Sequence, residues 1–448
     1  MDNLIDSARE YATQAHGRID HRRKYSLQPY ATHLESVAKL VSSVTVDQEM
    51  IAAAWLHDIV EDTPATLEDI EAEFGQGVAE LVEELTDVSK PSDGNRSIRK
   101  AMDRQHIAQA SSRGKTVKLA DLIDNCKDIT RNDPRFARVY LAEMNELLDV
   151  LDDGDGRLLK RAHKLHDKCT VQLAKTTSNL ANKGSAPASL SQPGIADNHF
   201  RRMFSELFSA RDIAEPLLSF DADSSCKSVR KILNVRKQSV ASIRINGETH
   251  GYIRKSDMGD GNCIDIVRHF ATNQIVSGKD TIMDVVHVLT RHKYCFVEVL
   301  GQIGGVIRRD DMNKPIARMW LFGIITMIEM TLMRLINDYL PNDSWQQFVS
   351  EGRLEKARQL QSERQRRNQD VALVDCLQLT DKGLILIEHP TALQKLGFDS
   401  KRSAKKVIKE LEALRNHLAH TQDISTGHWP QIARMAQRIT EVTNENRS

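Results

Sequence analysis

"AAAWLHDIVEDT", residues 52–63, carries a small apolar run straight into a histidine and three acids. Alanines, a tryptophan and a leucine on successive positions mark a helix buried on most of its sides. Charge at the end of such a helix is costly unless it is paired or bound to a cation. Either His57, Asp58, Glu61 and Asp62 lie on a solvated face, or a positive ion sits among them.

Residues four apart share a helix face, so His57 stacks with Glu61 and Asp58 with Asp62. Neighbouring His57 and Asp58 can reach one ion, and the next turn offers two more carboxylates. Two other stretches complete a site. His33 lies in "KYSLQPYATHLESVAKL" (24–40), where Pro29 breaks the chain before an amphipathic helix, and Asp121 is the first acid in "TVKLADLIDNCKD" (116–128), inside an otherwise apolar helix start. Two histidines and two aspartates suit a borderline-hard divalent ion, Mn²⁺ more naturally than Zn²⁺, with water in the open positions. Such an ion lowers the pKa of its water and makes a nucleophile. Glu61 and Asp62 are then placed to orient or deprotonate that water. Taken alone, these two acids read better as solvated helix-end residues. It is the four-part ligand set that favours the site.

The 448-residue chain is too long for one ordinary core, and its 40% hydrophobic and 28% charged residues describe a globular protein. The zero net charge conceals a split: residues 1–175 carry −7 and the remainder +7, which leaves a basic C-terminal half to meet an acidic partner. The apolar run "MWLFGIITMIEMTLM" (319–333) is interrupted by Glu329 and falls short of the roughly 20 residues a bilayer needs. It is expected to be a buried helix. With six scattered cysteines and no leader pattern, the expected setting is a reducing cytoplasm, away from membranes.

Helical periodicity dominates residues 1–175, as in Val78, Leu81, Val82 and Leu85. "TTSNLANKGSAPASLSQPGIADN" (176–198) is a linker by composition, placed at 176–200. β-type runs then alternate with helical ones over 201–314, and an internal repeat is visible. "GYIRKSDM" at 251 and "GVIRRDDM" at 305 match at Gly, Ile-Arg, Asp and Met, 54 residues apart. Residues 315–448 are helical again and end on a stripe of Val407, Leu411, Leu414 and Leu418. The expected architecture is multidomain and mainly α, with an all-α first domain, an α/β pair in the middle and an all-α bundle at the end.

"RRKYSLQPYATH", "AAAWLHDIVEDTPATLEDIEAEFG", "VAELVEELTDVSKP" and "VKLADLIDN" resemble the HD-domain hydrolases of the Rel/Spo type, which remove pyrophosphate from the 3′ position of (p)ppGpp. The resemblance covers residues 1 to about 170. It implies a manganese ion held by His33, His57, Asp58 and Asp121, and a water handled by Glu61 and Asp62. It also implies nucleotide contacts from Arg23, Lys24 and Asn125. The repeat resembles a tandem pair of CBS domains, which implies an adenine nucleotide near Asp257 and Asp311, with Arg254 and Arg308 standing where the family has Thr or Ser. "RNHLAH" (415–420) resembles the Arg-x4-His motif of HEPN domains, implying a helical bundle in which Arg415, Asn416 and His420 act on RNA. By spacing, however, five helix positions set two side chains about 140° apart.

The function expected is a metal-dependent phosphohydrolase acting on (p)ppGpp or a related nucleotide and regulated through the CBS-like pair. Two alternatives remain: a HEPN ribonuclease effector in stress or phage defence whose first domain controls its trigger, and a non-catalytic nucleotide sensor. A homodimer or higher oligomer is expected, with the run from Trp320 to Met333 supplying apolar contact.

Overall fold

The computed structural model describes residues 4–19, 21–23, 26, 28–90, 93–94, 96–180, 207–396, 401–420, 422–425, 429 and 432. The first domain is helical throughout: α1 (Leu4–Arg18), α2 (Ala31–Ser42), α3 (Gln48–Leu56), α4 (Ile59–Asp62), α5 (Leu67–Phe74), α6 (Gln76–Leu85), α7 (Arg96–Ala108), α8 (Ser112–Asn132), α9 (Pro134–Leu148) and α10 (Gly156–Leu180). At its centre is α3, where every residue from Met50 to Leu56 is buried. That explains its composition, since a helix packed by α1, α2, α6 and α8 has no face left for polar residues. Its first turn is fixed by Asp47, whose carboxylate accepts from the N–H groups of Glu49 and Met50 and is held in turn by Arg113. The helix ends on His57 and so delivers that imidazole to the rim of the core.

Helix α10 extends to Leu180, and the rest of the linker lies outside the described residues. The middle region is a small mixed α/β structure made of two like units. In the first, β2 (Ser219–Asp221), α11 (Cys226–Arg236), β3 (Val240–Ile245) and β4 (Glu248–Arg254) follow a two-residue strand, β1 (Glu215–Pro216). The second contains β5 (Ile275–Ser277), α12 (Ile282–Arg291), β6 (Cys295–Val299) and β7 (Gln302–Ile307). In each unit a helical crossover joins two parallel strands, and a hairpin adds the third. The repeat extends to detail. The ladder slips at Ile243/Arg244 in one unit and at Val297/Glu298 in the other, 54 residues on. Both hairpins turn through two residues of positive φ, Asn246-Gly247 and Leu300-Gly301, as two-residue hairpin turns require. Strand β1 leaves its own unit and pairs with β7, stitching the two together.

The last region comprises α13 (Pro315–Tyr339), α14 (Glu351–Arg366), α15 (Leu379–Ile387), α16 (Pro390–Lys395) and α17 (Lys401–Ala419). Its apolar core is continuous with that of the second α/β unit: Val285, Leu289 and Ile307 belong to the same cluster as Trp320, Trp345 and Leu386. Helix α13 is longer than the apolar run and, by length and composition only, passes as a membrane span. It packs as a core helix on one side. Trp320, Leu321, Ile324, Ile325 and Leu332 are buried inside the chain, so the run is not free as a whole for contact between copies; Met319, Phe322 and Met330 remain outside. Glu329 interrupts the run because it meets Lys382 at 2.6 Å, a lysine only 2% exposed.

Candidate metal centre and active site

Three segments of the chain bring His33, His57, Asp58 and Asp121 together. Helix α2 supplies His33, the end of α3 supplies His57 and the bend after it Asp58, and Asp121 comes from the buried face of α8. The two Nε2 atoms stand 3.3 Å apart. Asp58 Oδ2 is 3.0 Å from His57 Nε2 and 3.6 Å from that of His33. Asp121 Oδ1 lies 3.3 Å from His33 Nε2 and 3.7 Å from His57 Nε2.

The rings are held from behind. His33 Nδ1 lies 2.7 Å from Asp124 and His57 Nδ1 3.0 Å from the Ala54 carbonyl, so each ring is anchored through Nδ1 and turns Nε2 toward the centre. Burial opposes charge on His33, but the carboxylates of Asp121, Asp124 and Asp58 outweigh it and carry its pKa well above the ordinary value. Asp121 is driven the other way: burial is overcome by Lys118 and the two histidines, and its pKa falls well below normal. Such a convergence of two imidazole nitrogens and two carboxylate oxygens fits a divalent cation.

Helix α4 carries Glu61 and Asp62 one turn beyond Asp58. Glu61 accepts from the Asp87 N–H at 2.7 Å. Burial, with Asp87 next, raises its carboxyl to about 7 against the pull of Arg291 in α12. Burial and the neighbouring Asp58 and Glu61 lift Asp62 well above the usual range. A cavity of about 320 Å³ opens beside Asp121, lined in part by Asn125, Lys118, Lys100, Asp87 and Tyr140. Its size suits a small ligand.

Of the residues expected to touch a nucleotide, Asn125 lines this cavity and donates to Asp121 at 2.6 Å. Arg23 is buried and taken up by the protein's own acids, Asp124 at 2.6 Å and Asp128 at 3.2 Å. It therefore positions Asp124 and, through it, His33. Lys24 lies outside the described residues. Sequence reasoning passed over Tyr30, whose hydroxyl donates to Asp58 at 2.5 Å, and Lys118, 3.1 Å from Asp121. Lys118, Asp121 and Asn125 sit at spacings of three and four on α8, a signal that was there to be used.

The turn after α4 and helix α5 are held from outside the domain. Arg309 donates to the Pro64 carbonyl at 3.1 Å and to those of Leu289 and Thr290 at 2.9 and 3.3 Å, and its guanidinium lies 4.8 Å from the centre of the Trp429 ring. Glu68 accepts from the Lys293 N–H at 3.0 Å, and Asp69 pairs with the Lys293 side chain at 2.8 Å. Glu71 is gripped by both Arg254 and Arg268 at 2.8–3.3 Å, while the same two arginines hold Asp257 at 2.9 and 2.8 Å. In the second unit the Arg308 N–H donates to Asp311 at 2.7 Å.

At the far end, Arg415 is half-buried on α17 and Asn416 is exposed. His420 is exposed in the turn beyond, its backbone N–H bonded to the Asn416 carbonyl at 3.1 Å. Among the described residues no side-chain hydrogen bond or ion pair joins Arg415 to His420.

An all-helical domain with this His-His-Asp-Asp centre defines an HD-type metal-dependent phosphohydrolase, and residues 8–150 match the family model described as HD domain. The guanosine-3′,5′-bis(diphosphate) 3′-pyrophosphohydrolase MESH1 of Drosophila melanogaster is 37% identical over 127 residues, 28% of this chain and 69% of that protein. MESH1 of Xenopus tropicalis is 37% identical over 29% of this chain and 72% of its own length. The bifunctional (p)ppGpp synthase/hydrolase SpoT of Escherichia coli K12 is 33% identical over 34% of this chain and 22% of its own length. Through its first domain the chain belongs to the HD family as a homologue of these pyrophosphohydrolases.

Proposed function

We propose that the chain removes the 3′-pyrophosphate from (p)ppGpp or a closely related nucleotide. The observation that carries this reading is the convergence of His33, His57, Asp58 and Asp121 from three distant segments onto one point. Mn²⁺ is the ion proposed there, and when bound it supplies Lewis acidity to water and phosphate. Glu61 and Asp62 are assigned to orient the attacking water and take its proton, as the water oxygen bonds to phosphorus and the 3′ oxygen leaves. Lys118, Lys100 and Asn125, which line the cavity, are assigned to the phosphates and the sugar. Pyrophosphate release from a panel of 3′-substituted guanine and adenine nucleotides with Mn²⁺ tests the reading. No release from any of them, with His57→Ala indistinguishable from the parent, would overturn it.

The α/β repeat is proposed as a CBS-like control module taking an adenine nucleotide, because its basic side chains grip the segment just after Glu61 and Asp62. Homodimerisation is proposed through the outer side of α13, where Met319, Phe322 and Met330 are exposed, and light scattering would check it. The HEPN-like ribonuclease reading of residues 315–448 has only the RNHLAH motif to support it.

A further inference from the structure

A second set of donors lies close by. His16, in the last turn of α1, is 1% exposed, and its Nδ1 stands 2.9 Å from the Nδ1 of His21. Asp62 presents an oxygen 3.8 Å from His21 Nδ1, and the three donor atoms all fall within 4.8 Å of one another. The distances match those of the first centre, although these two rings are stacked at 24° and the first pair meets edge-on at 61°. There the facing nitrogens are 3.3 Å apart and the ring centroids 5.2 Å; here the values are 2.9 and 5.1 Å. Tyr30 ties the two groups together: its ring stacks on His21 with centroids 3.9 Å apart, and its hydroxyl reaches Asp58.

We propose that His16, His21 and Asp62 bind a second divalent transition-metal ion beside the first. Two imidazoles and one carboxylate suit ions of borderline softness such as Mn²⁺, Fe²⁺ or Zn²⁺. Ligation requires neutral imidazole. Burial, reinforced for His16 by the charge of His21, lowers the two rings to about 3 and about 4, so neither carries a proton that an ion must displace at neutral pH. The competing arrangement is an N–H···N hydrogen bond between the two rings, which requires no ion. One oxygen of Asp62 on the ion leaves the other for water, so this site would fix the carboxylate assigned above to water handling. Only that last point rests on the hydrolase reading.

The test counts ions in the full-length protein after chelation and equilibrium dialysis against saturating Mn²⁺ alone, then Zn²⁺ alone. The parent is expected to hold two per chain. His21→Phe keeps an aromatic ring against Tyr30 and should hold one; Asp62→Asn, a smaller change at a partly exposed position, should also hold one. His57→Ala should lose the first ion and keep the second. A parent that binds one ion, or a folded His21→Phe and Asp62→Asn that each still bind two, would overturn the proposal. Two ions counted in a protein that hydrolyses no nucleotide would defeat the hydrolase reading and leave this one standing.

Discussion

In the first domain, four donors separated by up to 88 residues converge on one point; in the last, Arg415 and His420 sit five residues apart and, among the described residues, share no side-chain hydrogen bond or ion pair. The distant set succeeds because packed elements far apart in sequence place the donors, and the packing of α2, α3 and α8 fixes where they aim. Of the near pair, Arg415 lies on α17 and His420 in the turn beyond it, and no separate packed element sets one against the other. Sequence proximity is therefore poor evidence for a site, and convergence of separate elements is good evidence.

The sharpest way to break this contrast is to remove one converging donor. His57→Ala is expected to abolish binding at the first centre and, with it, hydrolysis, by elemental analysis and pyrophosphate release. A variant that keeps both would mean that the donors meet without forming a centre. The next effect separates holding the ion from using it. Glu61→Gln and Asp62→Asn should each keep the first-centre ion and slow turnover by about 10²–10⁴-fold. Parental rates in both would remove α4 from the chemistry.

A smaller effect is expected at the junction of the three regions. Arg309→Ala leaves the carbonyls of Pro64, Leu289 and Thr290 without this donor, a loss of about 1–3 kcal/mol in stability, read as a shift in the denaturation midpoint. The smallest belongs to the near pair. His420→Ala removes an exposed side chain and should change stability by less than about 0.5 kcal/mol and leave nucleotide hydrolysis at the parental rate. RNA cleavage by the full chain that vanished in this variant would break the contrast from the other side.

Three of the four converging donors were legible because they sit at a break in an apolar pattern: His57 and Asp58 end a buried helix, and Asp121 interrupts one. The α/β repeat was legible through its Ile-Arg and Asp-Met echo, which the twin ladder slips bear out. Charge pairing was not. Nothing in the sequence reveals that Asp124 and Asp128 turn toward Arg23. Nor does it mark Glu68 and Glu71 as paired, since their partners Lys293, Arg254 and Arg268 are more than 180 residues away. Periodicity reports which face of a helix is apolar. It carries no information about which distant charge comes to rest against the polar one.

The Arg309–Pro64 contact spans 245 residues, and that separation is also a delay. A ribosome adding about 5–20 residues per second needs roughly 10–50 s to pass from one to the other. For much of that interval the four donors of the first centre have already been made, while the turn beyond Glu61 and Asp62 lacks its guanidinium. The newborn hydrolase thus exists for a time as a domain with its metal ligands complete and its brace unbuilt. Whatever the Arg309 brace does to the rate, it does only once residue 309 has been made.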